Sequence, residues 1–233
     1  MKDLKIRASA LGRIMTNDKD TTITVKQLET LNGLLAKIKL TDKQAQLRDT
    51  LELKRDAKPE LSTGGKTYVR ELALEDKFGI KLSISNKYVE KGNLQEHISI
   101  ELAENMLDCG VLFKNEEYFS NKFVHGTPDV ITDEVIIDVK TSWSKETYFK
   151  HYFENEIDNR IYEWQLKAYM WLTGKTTSYL AYCLVPTDEG LIVDDIRRTS
   201  WNRGEGAEVS EATELEVREY HSVDNIPVWS RVK

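Results

Sequence analysis

Within GTPDVITDEVIIDVKTS, residues 126–142, two carboxylates and an amine interrupt a run otherwise rich in Val, Ile and Thr. Asp129 follows Pro128, and Asp138 is followed two positions later by Lys140. Side chains alternate faces along a strand, so Ile136, Asp138 and Lys140 share one face while Val135, Ile137 and Val139 share the other. A turn centred on Thr132, Asp133 and Glu134 sets residue 129 opposite residue 137 or 138, which brings Asp129 beside Asp138. Two adjacent carboxylates repel, and each raises the other's pKa. A hard divalent cation removes that conflict: Mg²⁺ takes oxygen ligands and is usually held by one or two carboxylates together with substrate phosphates. A lysine at the edge of such a site can orient or deprotonate a water. These groups together suit metal-assisted hydrolysis of a phosphodiester. The bland alternative is a surface hairpin with an Asp–Lys cross-strand salt bridge, and the apolar flanks weigh against it.

The elements that must hold these groups are written around them. Residues 26–57 read as two strongly charged helices broken near Thr41–Asp42, and Pro59 and the STGG at 62–65 end that arm. KTYVRELALEDKFG is a helix closed by Gly79. NLQEHISIELAENMLDCG, from about Asn93, reads as another, closed by Gly110, with Glu96 in its first turn. After the hairpin, NRIYEWQLKAYMWLTG is helical, with Gln165 and Tyr169 one above the other on a face. SYLAYCLVP is a strand, and the sequence from about Asp188 is polar, with one more helix over GAEVSEATELEVREYH. This order implies an α/β fold: a central mixed β-sheet flanked by helices. We expect a single domain over 1–233, with a charged helical insertion at about 26–60 and a polar C-terminal tail from about 188. No secondary-structure element is expected over the terminal DNIPVWSRVK.

Composition bounds the class. The 233 residues are 40% hydrophobic and 31% charged, as in an ordinary globular protein with ample length for a core. Cys109 and Cys183 are too few and too far apart for a disulfide scaffold, a four-thiolate zinc site or an iron–sulfur cluster. They fit a reducing cytosol, and a cytoplasmic location is expected. No apolar run reaches the ~20 residues of a membrane span. Charges break up the N-terminal MKDLKIRASALGRIMT, so no export signal is read there. The net charge of −6 argues mildly against a nucleic-acid binder, although it excludes no local basic patch, and carboxylate metal ligands lower the total. His97, His125, His151 and His221 show no ligand spacing.

Pro128, Asp129, Asp138, Val139 and Lys140 resemble the signature of the PD-(D/E)xK nuclease superfamily. The helix GNLQE upstream and Gln165 with Tyr169 downstream are similar to the G-x-x-x-E and Q-x-x-x-Y of the branch holding lambda exonuclease, the YqaJ-type phage recombination nucleases and the RecB-type nuclease domains. Order and spacing agree over residues 92–169. The second acid is Asp138 where many relatives carry Glu. The segment IRASALGRIM is a weaker echo of the part of lambda-type exonucleases that holds a 5′-phosphate end.

The resemblance implies a restriction-endonuclease-like core. It implies Asp129 and Asp138 as metal ligands, the Val139 carbonyl as a third, and Glu96 as an acid serving a second ion or a water. The cofactor is Mg²⁺, with Mn²⁺ substituting, as one or two ions. Lys140 positions the attacking water, Gln165 reaches the attacked phosphate, and Tyr169 supports DNA or the lysine. Arg7, Ser9, Arg13 and Ser142 form a phosphate cup. The implied activity is exonucleolytic hydrolysis of linear double-stranded DNA, 5′ to 3′, in phage-type recombination or repair. A single-strand annealing protein is the implied partner, with a homotrimer by analogy and no membrane. Two alternatives share these residues: a RecB-like single-strand nuclease or site-specific endonuclease, and a non-catalytic DNA-binding or scaffold module that kept the fold.

Overall fold

The computed structural model describes residues 4–15, 23–57, 60–80, 86–107, 110–153, 157, 159–224 and 230–232. The chain forms two compact units, Met1–Leu11 with Lys81–Lys233, and Gly12–Ile80. The helical insertion expected at 26–60 falls wholly within the second.

That second unit contains α1 (Leu11–Met15, from its second residue), α2 (Val25–Leu35), α3 (Asp42–Asp56) and α4 (Thr63–Phe78). Thr24 and Thr41 each begin a helix by a reciprocal capping box, with Gln27 and with Gln44. Gly79, left-handed at φ 67°, closes α4. Leu31, Leu34 and Leu51 make a small core between α2 and α3.

In the first unit the elements are β1 (Ile6–Arg7), a 3-10 turn at Ala8–Ala10, α5 (Lys87–Glu104), β2 (Phe119–Ser120), β3 (Val124–Gly126), β4 (Val130–Ile131), β5 (Val135–Thr141), α6 (Lys145–Tyr152), α7 (Arg160–Thr173), β6 (Thr177–Cys183), α8 (Glu189–Asn202), α9 (Glu211–His221) and β7 (Ser230–Val232). They build a three-stranded sheet, β1-β3-β2, and a four-stranded mixed sheet, β4-β5-β6-β7. β4 and β5 are the expected hairpin, and β5 runs parallel to β6. Two expectations fail here. The sequence after 188 is helical over α8 as well as α9, and DNIPVWSRVK carries a strand, since β7 pairs antiparallel with β6.

The alternation read along β5 sorts its side chains onto two helices. Val135, Ile137 and Val139 pack with Ala181 and Cys183 against Ile100 and Ala103 of α5. Ile136 faces Ala168 and Tyr169 of α7, while Leu180 and Tyr182 of β6 meet Leu166 of the same helix. Both faces are therefore covered, which is why β5 reads as a near-continuous apolar run. The turn fixes the register. Thr132 N–H donates to the Val135 carbonyl at 2.9 Å, and Val135 N–H donates back to Thr132 Oγ1 at 3.0 Å.

α5 begins earlier than expected, at Lys87, because Asn86 caps it by accepting from the N–H groups of Tyr88 and Val89. It ends at Glu104, well before Gly110. Gly126 sits where backbone must come close to a ring: a Cβ there would lie 2.9 Å from Tyr169 Cε1 and 3.0 Å from Ala8 Cβ. Gly126→Ala should cost about 1–3 kcal/mol of stability by overpacking. A denaturant titration showing an unchanged midpoint would refute this close contact.

Candidate active site

Val130 pairs with Ile137 and Ile131 with Ile136, so the same register sets Asp129 opposite Asp138. A second bond fixes the first acid: Val139 N–H donates to Asp129 Oδ2 at 2.8 Å. Asp138 is fully buried. Its Oδ1 accepts from Gln165 Nε2 at 2.9 Å. Its Oδ2 is met by the Lys140 ammonium, 2.5 Å away, in an ion pair. That ammonium also lies over the Tyr162 ring, 5.0 Å from its centroid.

The charges follow from burial. Burial lifts the Asp129 carboxyl to about 7, and the neighbouring Asp138 carboxylate adds to the rise against the opposing pull of Lys140. For Lys140 burial works against the charge, but the Asp138 and Asp129 carboxylates outweigh it and hold the ammonium above the ordinary lysine range. A cleft of about 400 Å³ opens onto these groups, lined by Glu96, Asp129, Val139, Lys140 and Tyr162 among others.

A divalent cation suits this donor set. Two opposed, buried carboxylates, one of them lifted toward neutrality, lower their mutual cost by sharing a hard cation. Among the described residues no three of His, Cys, Asp and Glu form a metal-holding group. The donors that fit are the opposed Asp129 and Asp138 carboxylates.

Glu96 lines the same cleft but is ion-paired with Lys114. It also lies well inside α5 rather than in a first turn, so neither capping nor the helix dipole accounts for it.

Gln165 and Tyr169 meet at Asp138. Gln165 is buried, and its amide bridges Asp138 Oδ1 to the Tyr169 hydroxyl, 3.2 Å away. Tyr169 is buried too, and burial followed by the Asp138 charge pushes its phenol up to about 12. Through Gln165 these two residues brace Asp138. Gln165→Leu is therefore expected to weaken Mg²⁺ binding about 10–100-fold, as lost support for a ligand commonly does. Calorimetric titration giving wild-type affinity would remove Gln165 from this role.

The residues of the expected phosphate cup fall at three places in the chain. Arg7 and Ser9 are exposed beside Ala8, which packs on Tyr169 and Ile136. Ser142 is buried at the end of β5. Arg13 belongs to the second unit, where its guanidinium forks onto Glu71 at 2.8 and 3.0 Å and lies over Tyr68.

Sequence reasoning missed several supports. Asn115 N–H donates to the Asp129 carbonyl at 2.7 Å and its amide to the Pro128 carbonyl at 3.0 Å, clamping the first acid's backbone. Ser99 on α5 bonds Thr141 on β5 at 2.8 Å. Beyond the cleft, His221 links Thr187 to Asp195, which also accepts from Lys87. These partners are far apart in sequence, and only the asparagine's turn chemistry could have hinted at one of them.

No family model and no curated protein matches the chain. Among solved structures it is similar to a phage related exonuclease from Haemophilus somnus 129PT, at 24% identity and a TM-score of 0.63, over 99% of this chain and 83% of that one. It also aligns with an alkaline exonuclease from Laribacter hongkongensis, at 13% identity and a TM-score of 0.48, over 92% of this chain and 90% of that one. The likeness to the phage related protein extends over almost the whole chain, and the chain shares that protein's fold.

Proposed function

We propose that this chain is a metal-dependent deoxyribonuclease that degrades linear double-stranded DNA from its ends, 5′ to 3′. The observation that carries the reading is the opposition of Asp129 and Asp138 in register, with the Lys140 ammonium 2.5 Å from the second acid. Fold alone supports many chemistries, so the weight rests on these three side chains.

Mg²⁺ or Mn²⁺, held by the Asp129 and Asp138 carboxylates and the Val139 carbonyl, would supply a Lewis acid, a lowered water pKa and charge for the leaving oxygen. The protein's own groups do the rest. The Lys140 ammonium, beside Asp138, is placed to hold the attacking water or a phosphate oxygen. Gln165 fixes the rotamer of Asp138, and Tyr169 fixes Gln165. Exposed Arg7 and Ser9 are the candidates for a 5′-phosphate at the duplex end. The product strand would suit a single-strand annealing partner.

The test is digestion of linear and closed-circular duplex DNA, with Mg²⁺ and with chelator, on ends with and without a 5′-phosphate. Loss of linear DNA alone, dependent on Mg²⁺ and on the 5′-phosphate, is the expected result. Cutting of circles would assign an endonuclease. Intact DNA in every lane would favour a binding module that kept the fold.

A further inference from the structure

Two ammonium groups meet the acids of the cleft: Lys140 on Asp138, and Lys114 on Glu96. The second was not expected from the sequence. Lys114 is no casual surface side chain, although it is more than half exposed. Its backbone forms a β-bridge with Val130, and the next residue, Asn115, bonds the carbonyls of both Pro128 and Asp129. The segment bearing Lys114 is thereby fastened to the strand bearing the first acid. Glu96, in turn, lines the cleft with Asp129 and yet closes no three-acid group with the Asp pair.

A carboxylate already paired with an internal cation is a poor ligand for an external one. The apparent affinity of a second ion falls with the fraction of Glu96 left unpaired. We propose that Lys114 stands in for a second metal ion: it occupies Glu96 and restricts the site to one divalent cation, held by Asp129, Asp138 and the Val139 carbonyl. This rests on the metal-dependent reading above. It assigns Lys114 as a positioning residue that sets metal stoichiometry.

The experiment is Mn²⁺ titration of the full chain, followed by calorimetry and by the electron-spin signal of free Mn²⁺, with no DNA present. Wild-type protein should take up one ion. Lys114→Met should take up two, with the second at least about fivefold tighter than any second uptake by wild type. Adding Glu96→Gln to that variant should return it to one, and Lys114→Arg, which keeps the charge, should stay at one. Thermal melts check that each variant is folded, which the exposure of Lys114 favours. Two ions in wild type, or one in Lys114→Met, would overturn the proposal while leaving metal dependence intact. No uptake by wild type would remove the metal reading itself, and this inference with it.

Discussion

Lys140→Ala should slow DNA degradation by about 10²–10⁴-fold while leaving Mg²⁺ binding intact or tighter. The rate effect follows from removing a positioned donor at the reacting phosphate, a contribution of that size in other acyl and phosphoryl chemistries. The effect on binding has the opposite sign because the ammonium occupies the Asp138 carboxylate that a cation would use. The same substitution strips a fully buried carboxylate of its counter-charge, so the metal-free protein should lose about 2–4 kcal/mol of stability. Mg²⁺ should restore it. Digestion rates on linear DNA, paired with melts in chelator and in Mg²⁺, read both halves. A rate within tenfold of wild type would take Lys140 out of the chemistry.

Asp129→Asn is expected to do two things that rarely go together: abolish Mg²⁺ binding and DNA degradation, and raise the melting temperature of the metal-free protein. The loss is that of a ligand. The gain comes from the position of the folded-state pKa, about 7 against an ordinary 3.8. The native state thus binds the extra proton more tightly than the unfolded chain. Stability from this source is complete below the unfolded value near 3.8, declines across the interval, and is lost as pH rises through about 7. In chelator, wild-type protein should therefore melt at a progressively lower temperature from about pH 5 to pH 8. Asn has no charge to lose, so the variant should show a flatter profile and be more stable than wild type at pH 8 by about 1–3 kcal/mol. The matching expectation for the wild type is Mg²⁺ affinity that strengthens as pH rises through about 7, because the proton and the cation compete for one carboxylate. Parallel pH profiles for the two proteins in chelator would show that Asp129 is charged in the native state throughout.

Much of this was legible in the sequence because it depended on short-range rules. Period-two alternation assigned every β5 side chain to its face, and a three-residue turn limited Asp129 to one of two partners. Asn159 and Gly174 bracket α7 where the apolar pattern begins and ends. What was missed depended on distance or on a tolerated exception. Gly92 looked like a helix start, but it lies inside α5 with open space where a side chain would be, at the ordinary cost of about 1 kcal/mol for an interior glycine. The polar surface of α8 hid a helix whose Leu191 and Ile196 are buried. Lys114 reaches Glu96 across 18 residues, and Gln165 reaches Asp138 across 27. A short motif can name its acids and its lysine. It carries no information on which neighbours arrive from elsewhere in the chain to neutralise or brace them.

The hairpin turn at Thr132–Glu134 has a consequence for how this sequence can drift. Exposed loops are usually where insertions and deletions accumulate without harm. Here one added residue, absorbed as a slip of β5, would exchange its two faces: Asp138 and Lys140 would swing toward the aliphatic side chains of α5, and Val139 would take their place before Gln165. The turn touches none of the acids, yet its length is as much a part of the cleft as they are. Among descendants of this chain that keep the chemistry, substitutions at Asp133 should be common and length changes between Ile131 and Val135 rare.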